Sequence, residues 1–171
     1  RGVLTDKRPG TVVETRLSVP NNLPALLTST IDRSNDLTAV SSLIRDKSIH
    51  LVTLIGPPGI GKTRLSIQSG TDLLADFPDG VWFVDLAEME NAEFFAATVS
   101  RSLEFLKQLP SPGLSQLIAG IKDRKLLLIL DNFEHIVDQA AVDVAQILKN
   151  CHDLKILVTS RVPLHITGEH E

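Results

Sequence analysis

Cysteine is almost missing from this chain. Cys151 stands alone among 171 residues, which excludes an intrachain disulfide and fits a reducing compartment. No apolar run approaches the roughly 20 residues that a membrane-spanning helix requires. The opening residues also lack the apolar stretch of a signal peptide, so the cytoplasm is the expected location and no membrane partner is implied. Basic stripes are missing too. With 17 Lys and Arg against 21 Asp and Glu, the net charge is −4, which gives no support to direct nucleic-acid binding. The five histidines, His50, His135, His152, His165 and His170, have no zinc-like spacing and one cysteine to join them. No repeat with a period of about 20–50 residues is visible, which argues against a solenoid. The chain opens on Arg1 rather than methionine and reads as a piece of something longer.

What is present fits one globular domain, with 43% hydrophobic and 22% charged residues. Residues 1–20 read as a linker or the end of a preceding domain. Pro9, Gly10, Pro20 and Pro24 punctuate this leading region, and Thr11–Leu17 is at most one short strand. A helix is expected over Ser34–Lys47, capped by Ser34, with Leu37, Val40 and Ile44 on one stripe. Leu51–Ile55 reads as a buried parallel strand that stops at Gly56. A helix over Lys62–Asp76 ends at the breaker Phe77-Pro78-Asp79-Gly80.

The strand Val81–Asp85 follows. Phe95, Val99, Leu103 and Leu106 mark one helix, and Leu114, Leu117, Ile118 and Ile121 another, separated by Leu109-Pro110-Ser111-Pro112-Gly113. Leu126–Leu130 is the most apolar run and leads into Asp131. A helix over Glu134–Asn150 and a strand over Lys155–Thr159 complete the pattern. Strands alternating with helices predict right-handed crossovers and a mainly parallel sheet covered on both faces, an α/β three-layer αβα core.

One segment carries chemistry by itself. Gly56-Pro57-Pro58-Gly59-Ile60-Gly61-Lys62-Thr63 matches GxxxxGK(S/T) at every fixed position, between an expected strand and an expected helix. Its glycines let the loop curl so that successive N–H groups point inward. The following helix adds its positive dipole end, making an anion site for phosphate. Lys62 reaches terminal phosphates and the Thr63 hydroxyl is placed to ligate magnesium. The cofactor-binding stretch is therefore Pro58, Gly59, Ile60, Gly61, Lys62, Thr63 and Arg64, in a P-loop NTPase core.

Such a loop needs a partner carboxylate at the end of a neighbouring strand. Asp131 supplies it and is the second expected Mg2+ group beside Thr63. Thr159-Ser160-Arg161 should emerge on the same edge of the sheet, with Arg161 placed to sense the terminal phosphate. Asn132 stands where many P-loop ATPases carry a glutamate. Glu134 is then the candidate to orient water, or it fills the first turn of a helix. Lys62, Asp131, Glu134 and Arg161 form the candidate catalytic set.

Together, GPPGIGKTRL, FPDGVWFVDLA, LLLILDNFEHI and ILVTSRVPLHITGE resemble the STAND class of NTPases. Within it they resemble the NB-ARC-type modules of large bacterial signalling and transcriptional regulators, over about Asn21 to Glu171. Asn21-Asn22-Leu23-Pro24 and Leu27–Arg33 resemble that family's leading motif, of the form NLP…LTSFIGRE. Asp32 stands where the family has glycine, and Ser34 where it has an acid. The resemblance implies that Leu23, Pro24, Ile31 and Arg33 line the adenine. It implies an ATP/ADP switch with slow or regulated hydrolysis: ADP holds a closed state, and exchange for ATP opens it to form homo-oligomers. A helical lid and winged-helix domains of the same parent chain would follow residue 171, and a fifth strand would begin near Gly168–Glu171. The guanine-reading pattern Asn/Thr-Lys-x-Asp is absent, in keeping with adenine. Two other readings stand beside this one. The first is a nucleotide-binding interaction module without turnover, and the second is a P-loop phosphotransferase with a substrate pocket between Glu88 and Pro112.

Overall fold

The computed structural model describes residues 19–26, 33–108 and 112–171. The strand expected within Thr11–Leu17 and the base-lining residue Ile31 lie outside the described residues. Among the described residues, five strands, β1 (Leu51–Ile55), β2 (Val81–Asp85), β3 (Leu127–Asp131), β4 (Lys155–Ser160) and β5 (Glu169–His170), make one sheet. Their order is β2-β3-β4-β1-β5, and every pairing is parallel.

A parallel strand buried on both faces must be apolar on both. β3 shows this most fully, since all five of its residues are buried. Leu128 and Leu130 enter one core cluster while Leu127 and Ile129 enter the other. That alternation continues in β4, where Ile156 and Val158 oppose Leu157. Helices α1 (Ser34–Arg45) and α2 (Lys62–Asp72) cover one face through Val40, Ile44 and Leu65. Helices α3 (Phe95–Ser102), α4 (Leu114–Ile121) and α5 (Val137–Asn150) cover the other through Phe95, Leu117, Ile121 and Val144. The result is a three-layer αβα sandwich. Truncating one of these fully buried leucines to alanine would cost about 2–5 kcal/mol.

Several boundaries differ from those the sequence implies. Arg33, not Ser34, takes the cap position of α1, and its side chain makes no cap hydrogen bond; Ser34 is the helix's first residue and accepts from Thr38 Oγ1 through its carbonyl (2.8 Å). α2 stops at Asp72 rather than Asp76, because Leu73 leaves the helical region (φ −98°, ψ 0°). A short 3-10 turn over Leu74–Asp76 follows, and this bend drives both Leu73 and Phe77 into the core. The helix marked by Phe95 to Leu106 breaks at Leu103 for the same reason, a buried leucine with extended backbone (φ −86°, ψ 108°). α5 starts at Val137, after a 3-10 turn over Phe133–His135 that buries Phe133. β3 begins one residue later than expected and takes in Asp131.

Both sheet edges are finished by side chains. At β2, the Asn22 amide acts like a strand's own peptide group. Its Oδ1 accepts from the Phe83 N–H (2.6 Å) and its Nδ2 donates to the Phe83 carbonyl (2.8 Å). At the opposite edge, β5 lies along β1, and the Glu169 carboxylate accepts from Thr53 Oγ1 (2.6 Å) and from the Leu164 N–H (2.9 Å).

Candidate functional site

The site lies at the carboxyl ends of β1, β3 and β4, where an open α/β sheet places its ligands. β1 ends at Ile55 and the loop from Gly56 turns directly into α2 at Lys62. Two glycines make that turn possible. Gly59 (φ 81°) and Gly61 (φ 88°) take left-handed backbone, and Gly61 is the cap residue of α2. A methyl group on Gly56 would collide with the Ile60 side chain that folds back over it.

Lys62 Nζ donates to the carbonyls of Gly56 (2.7 Å) and Pro57 (3.1 Å), so its ammonium lies across the mouth of the loop. The Thr63 hydroxyl sits 2.9 Å from each carboxylate oxygen of Asp131. Thr159 Oγ1, on the strand between β1 and β3, donates to Asp131 Oδ1 and accepts from the Asn132 N–H (3.1 Å). Asn132 has left-handed backbone (φ 61°, ψ 42°), and its Nδ2 donates to Asp131 Oδ2 (3.1 Å) and to Asp85 Oδ1 (3.0 Å). Burial pushes the Asp131 carboxyl above the ordinary carboxylate range. The hydroxyls of Thr159 and Thr63 oppose that rise, while the charges of Asp85 and Glu134 add to it.

Arg161, just past β4, pairs through Nε with Glu134 Oε1 (2.9 Å). The other oxygen, Glu134 Oε2, is buried and has no hydrogen-bond partner among the described residues. A cavity of about 440 Å3 is lined by Pro58, Gly59, Gly61, Lys62, Thr63 and Arg64 of the loop, with Glu134 and Arg161 across from them. Leu26, Ile67 and Asn132 complete the wall.

Thus the fold brings together Lys62, Thr63, Asp131, Glu134 and Arg161. Ile60 is exposed at the loop's tip. Arg33 donates to the Ile60 carbonyl, and its guanidinium lies over Gly61, which puts it against the loop. Leu23 instead packs under the sheet beside Gly70, and Pro24 is exposed. Leu26, Asn132 and Asp85 are members of the site's surroundings that sequence patterns left out. Asn132 carried a signal, its place directly after the strand carboxylate, whereas nothing local marks Leu26 or Asp85.

A phosphate-gripping loop, a strand-end carboxylate and a parallel three-layer sheet define a P-loop NTPase core. A family model described as an AAA domain matches residues 45–171, and the chain belongs to that family. Membership implies nucleotide binding. The chain is 34% identical over 153 residues to an uncharacterized protein of Mycobacterium tuberculosis, covering 90% of this chain and 38% of that protein. It is 40% identical over 120 residues to a protein named as an HTH-type transcriptional regulator from the same organism, covering 70% of this chain and 13% of the regulator. The chain therefore spans well under half the length of these relatives. Among solved structures, it is similar to a STAND protein with a tetratricopeptide repeat sensor from Pyrococcus horikoshii. That match has a TM-score of 0.57 and 17% identity, covering 86% of this chain and 22% of that one. It is also similar to Drosophila ORC bound to DNA, with a TM-score of 0.54 and 18% identity, covering 78% of this chain and 38% of that one. Among the described residues, no helix is long and apolar enough to cross a membrane.

Proposed function

We propose that this chain is the ATP/ADP-binding switch module of a STAND-type signalling regulator, and that it hydrolyses ATP slowly. The observation that carries the reading is the direct contact of Thr63, which lines the loop's cavity, with Asp131. It joins the phosphate grip to the strand-end acid. Arg161 lines the same cavity, which supports a role for it in responding to a terminal phosphate. Adenine specificity, the signalling role and assembly in the ATP state belong to this proposal, as does the NB-ARC-like extent of residues 21–171.

Mg2+ fits the donors present. Thr63 and Asp131 offer hard oxygens, and Asp85 and Glu134 add negative charge that a divalent cation would offset. When bound, it would supply positive charge against the charge developing on the phosphoryl oxygens. Asp131 would then serve as the anchoring carboxylate, Thr63 as the hydroxyl ligand and Lys62 as the mobile charge on the phosphates.

A second reading, nucleotide binding without turnover, draws support from the engagement of Glu134 with Arg161, because a carboxylate held by a guanidinium is a poor base. Two measurements decide between them. Titration with ADP and with ATP plus magnesium should raise the melting temperature, and single-turnover hydrolysis should then give a slow but measurable rate. Binding without turnover favours the second reading, and no shift with any nucleotide defeats both. Turnover of hundreds per second would mark a metabolic enzyme instead.

A further inference from the structure

Asn132 is held more firmly than a loop residue needs to be. Its backbone takes the left-handed conformation that asparagine tolerates better than most residues. Its N–H is accepted by Thr159 Oγ1, and its side-chain amide bridges two carboxylates, Asp85 and Asp131. Carboxylates only accept, so the NH2 end must face them. The carbonyl oxygen is thereby turned away from them, on a residue that lines the same cavity as Lys62, Thr63 and Arg161. Asp85 is fixed in turn: its Oδ1 also accepts from the Ala87 N–H (2.9 Å). Asp85 and Asp131 stand in register at the ends of β2 and β3. A continuous polar string therefore runs from the Ala87 turn through Asp85, Asn132 and Asp131 to Thr63.

Glu134, the other candidate for handling water, has one oxygen on Arg161 and lies nearly buried. We propose that Asn132 holds the attacking water through its side-chain carbonyl and that Asp85 positions Asn132; this rests on the hydrolytic switch reading above. The water oxygen bonds to the terminal phosphorus of ATP. The bond from that phosphorus to the bridging oxygen breaks, and its electron pair leaves on ADP. An amide carbonyl does not take a proton at neutral pH, so a proton of the water passes to an oxygen of the transferred phosphoryl group, giving ADP and inorganic phosphate. Orientation without a base fits a slow enzyme.

The test uses single-turnover hydrolysis at saturating ATP and magnesium, with ADP and ATP affinities measured in parallel. Asn132→Gly is the informative variant, because glycine keeps the left-handed backbone while removing the amide. Its hydrolysis rate should fall on the order of 10–100-fold, with both affinities within about threefold of the parent. Asp85→Ala should lower the rate in the same direction. Asp85→Asn should restore most of it, since an asparagine carbonyl can still accept from Asn132 and Ala87. An Asn132→Gly rate within about twofold of the parent overturns the proposal. So does a parent chain that binds nucleotide yet never turns it over, although nucleotide binding itself then survives. If Asp85→Asn falls as far as Asp85→Ala, the positioning role of Asp85 is wrong. A parent chain that binds no nucleotide overturns this proposal together with the reading beneath it.

Discussion

Arg161 and Glu134 pair at 2.9 Å on one wall of the cavity, a half-exposed guanidinium on a carboxylate that is 12% exposed. Each restrains the other. A guanidinium already engaged must leave or share its partner to reach a phosphate, so the pair opposes any ligand that recruits Arg161.

This competition should be visible in relative affinities. Glu134→Gln frees the guanidinium and should tighten ATP binding more than ADP binding, by about two- to fivefold, the range of a partly exposed ion pair. Arg161→Ala should weaken ATP binding and leave ADP nearly unchanged. Calorimetric titration of both nucleotides against both variants checks this. Equal changes for ATP and ADP would place Arg161 away from the terminal phosphate.

Lys62 makes its hydrogen bonds to two carbonyls of its own loop. Removing the side chain should therefore harm ligand binding far more than folding. At a nucleotide concentration 100 times the dissociation constant, the parent should gain about 2.7 kcal/mol of stability. Lys62→Ala should lose nearly all of that gain while melting close to the parent without nucleotide. Thermal shift measures both, and undiminished binding by the variant would remove the lysine from the grip.

Asp131 sets a pH dependence. Burial raises its carboxyl above the ordinary value of about 3.9, so ionised Asp131 costs the fold stability, in full above the raised value. That cost disappears as pH falls through it, because the folded state then holds a proton more readily than the unfolded chain. Magnesium needs the ionised form. The magnesium-dependent part of nucleotide affinity should accordingly decline on acidification at a pH above that of an ordinary aspartate. Asp131→Asn should abolish that part and its pH dependence together. Titrations with magnesium and with EDTA across pH separate the two contributions.

Asn22 closes the β2 edge with two hydrogen bonds to Phe83. Asn22→Ala should cost about 1–3 kcal/mol, from two bonds of ordinary strength. Asn22→Asp should do no better, because it keeps the acceptor but turns an oxygen toward the Phe83 carbonyl. Urea unfolding followed by circular dichroism would register the loss. An unchanged midpoint would mean that the edge needs no such cover.

Much of this was legible in the chain. β1, β3 and β4 announced themselves because a strand buried on both faces must be apolar throughout, and Asp131 stood out against that background. The glycines of residues 56–61 were readable because the loop's shape demands them. Long-range side-chain relationships were not. Asn22 meets Phe83 across 61 positions, and Asp85 meets Asn132 across 47. No local period encodes either pairing. Helix ends failed for a related reason: Leu73 and Leu103 look like helix residues by composition, but each is pulled into the core by the layer beneath it. Leu23 beside Gly70 and Leu26 at the cavity are likewise placed by contacts far along the chain.

The order of the strands has a further consequence. The loop rises from β1 and the acid from β3, yet β4 lies between them, and its Thr159 touches Asp131. The gap between grip and acid is therefore two strand spacings, each about 4.8 Å. The sheet works as a ruler, and the interval it sets is as stiff as the packing of Ile156, Leu157 and Val158 between the two helical layers. A methylene added or lost deep in β4 would alter the calibration of a reaction centre that the substituted residue never touches.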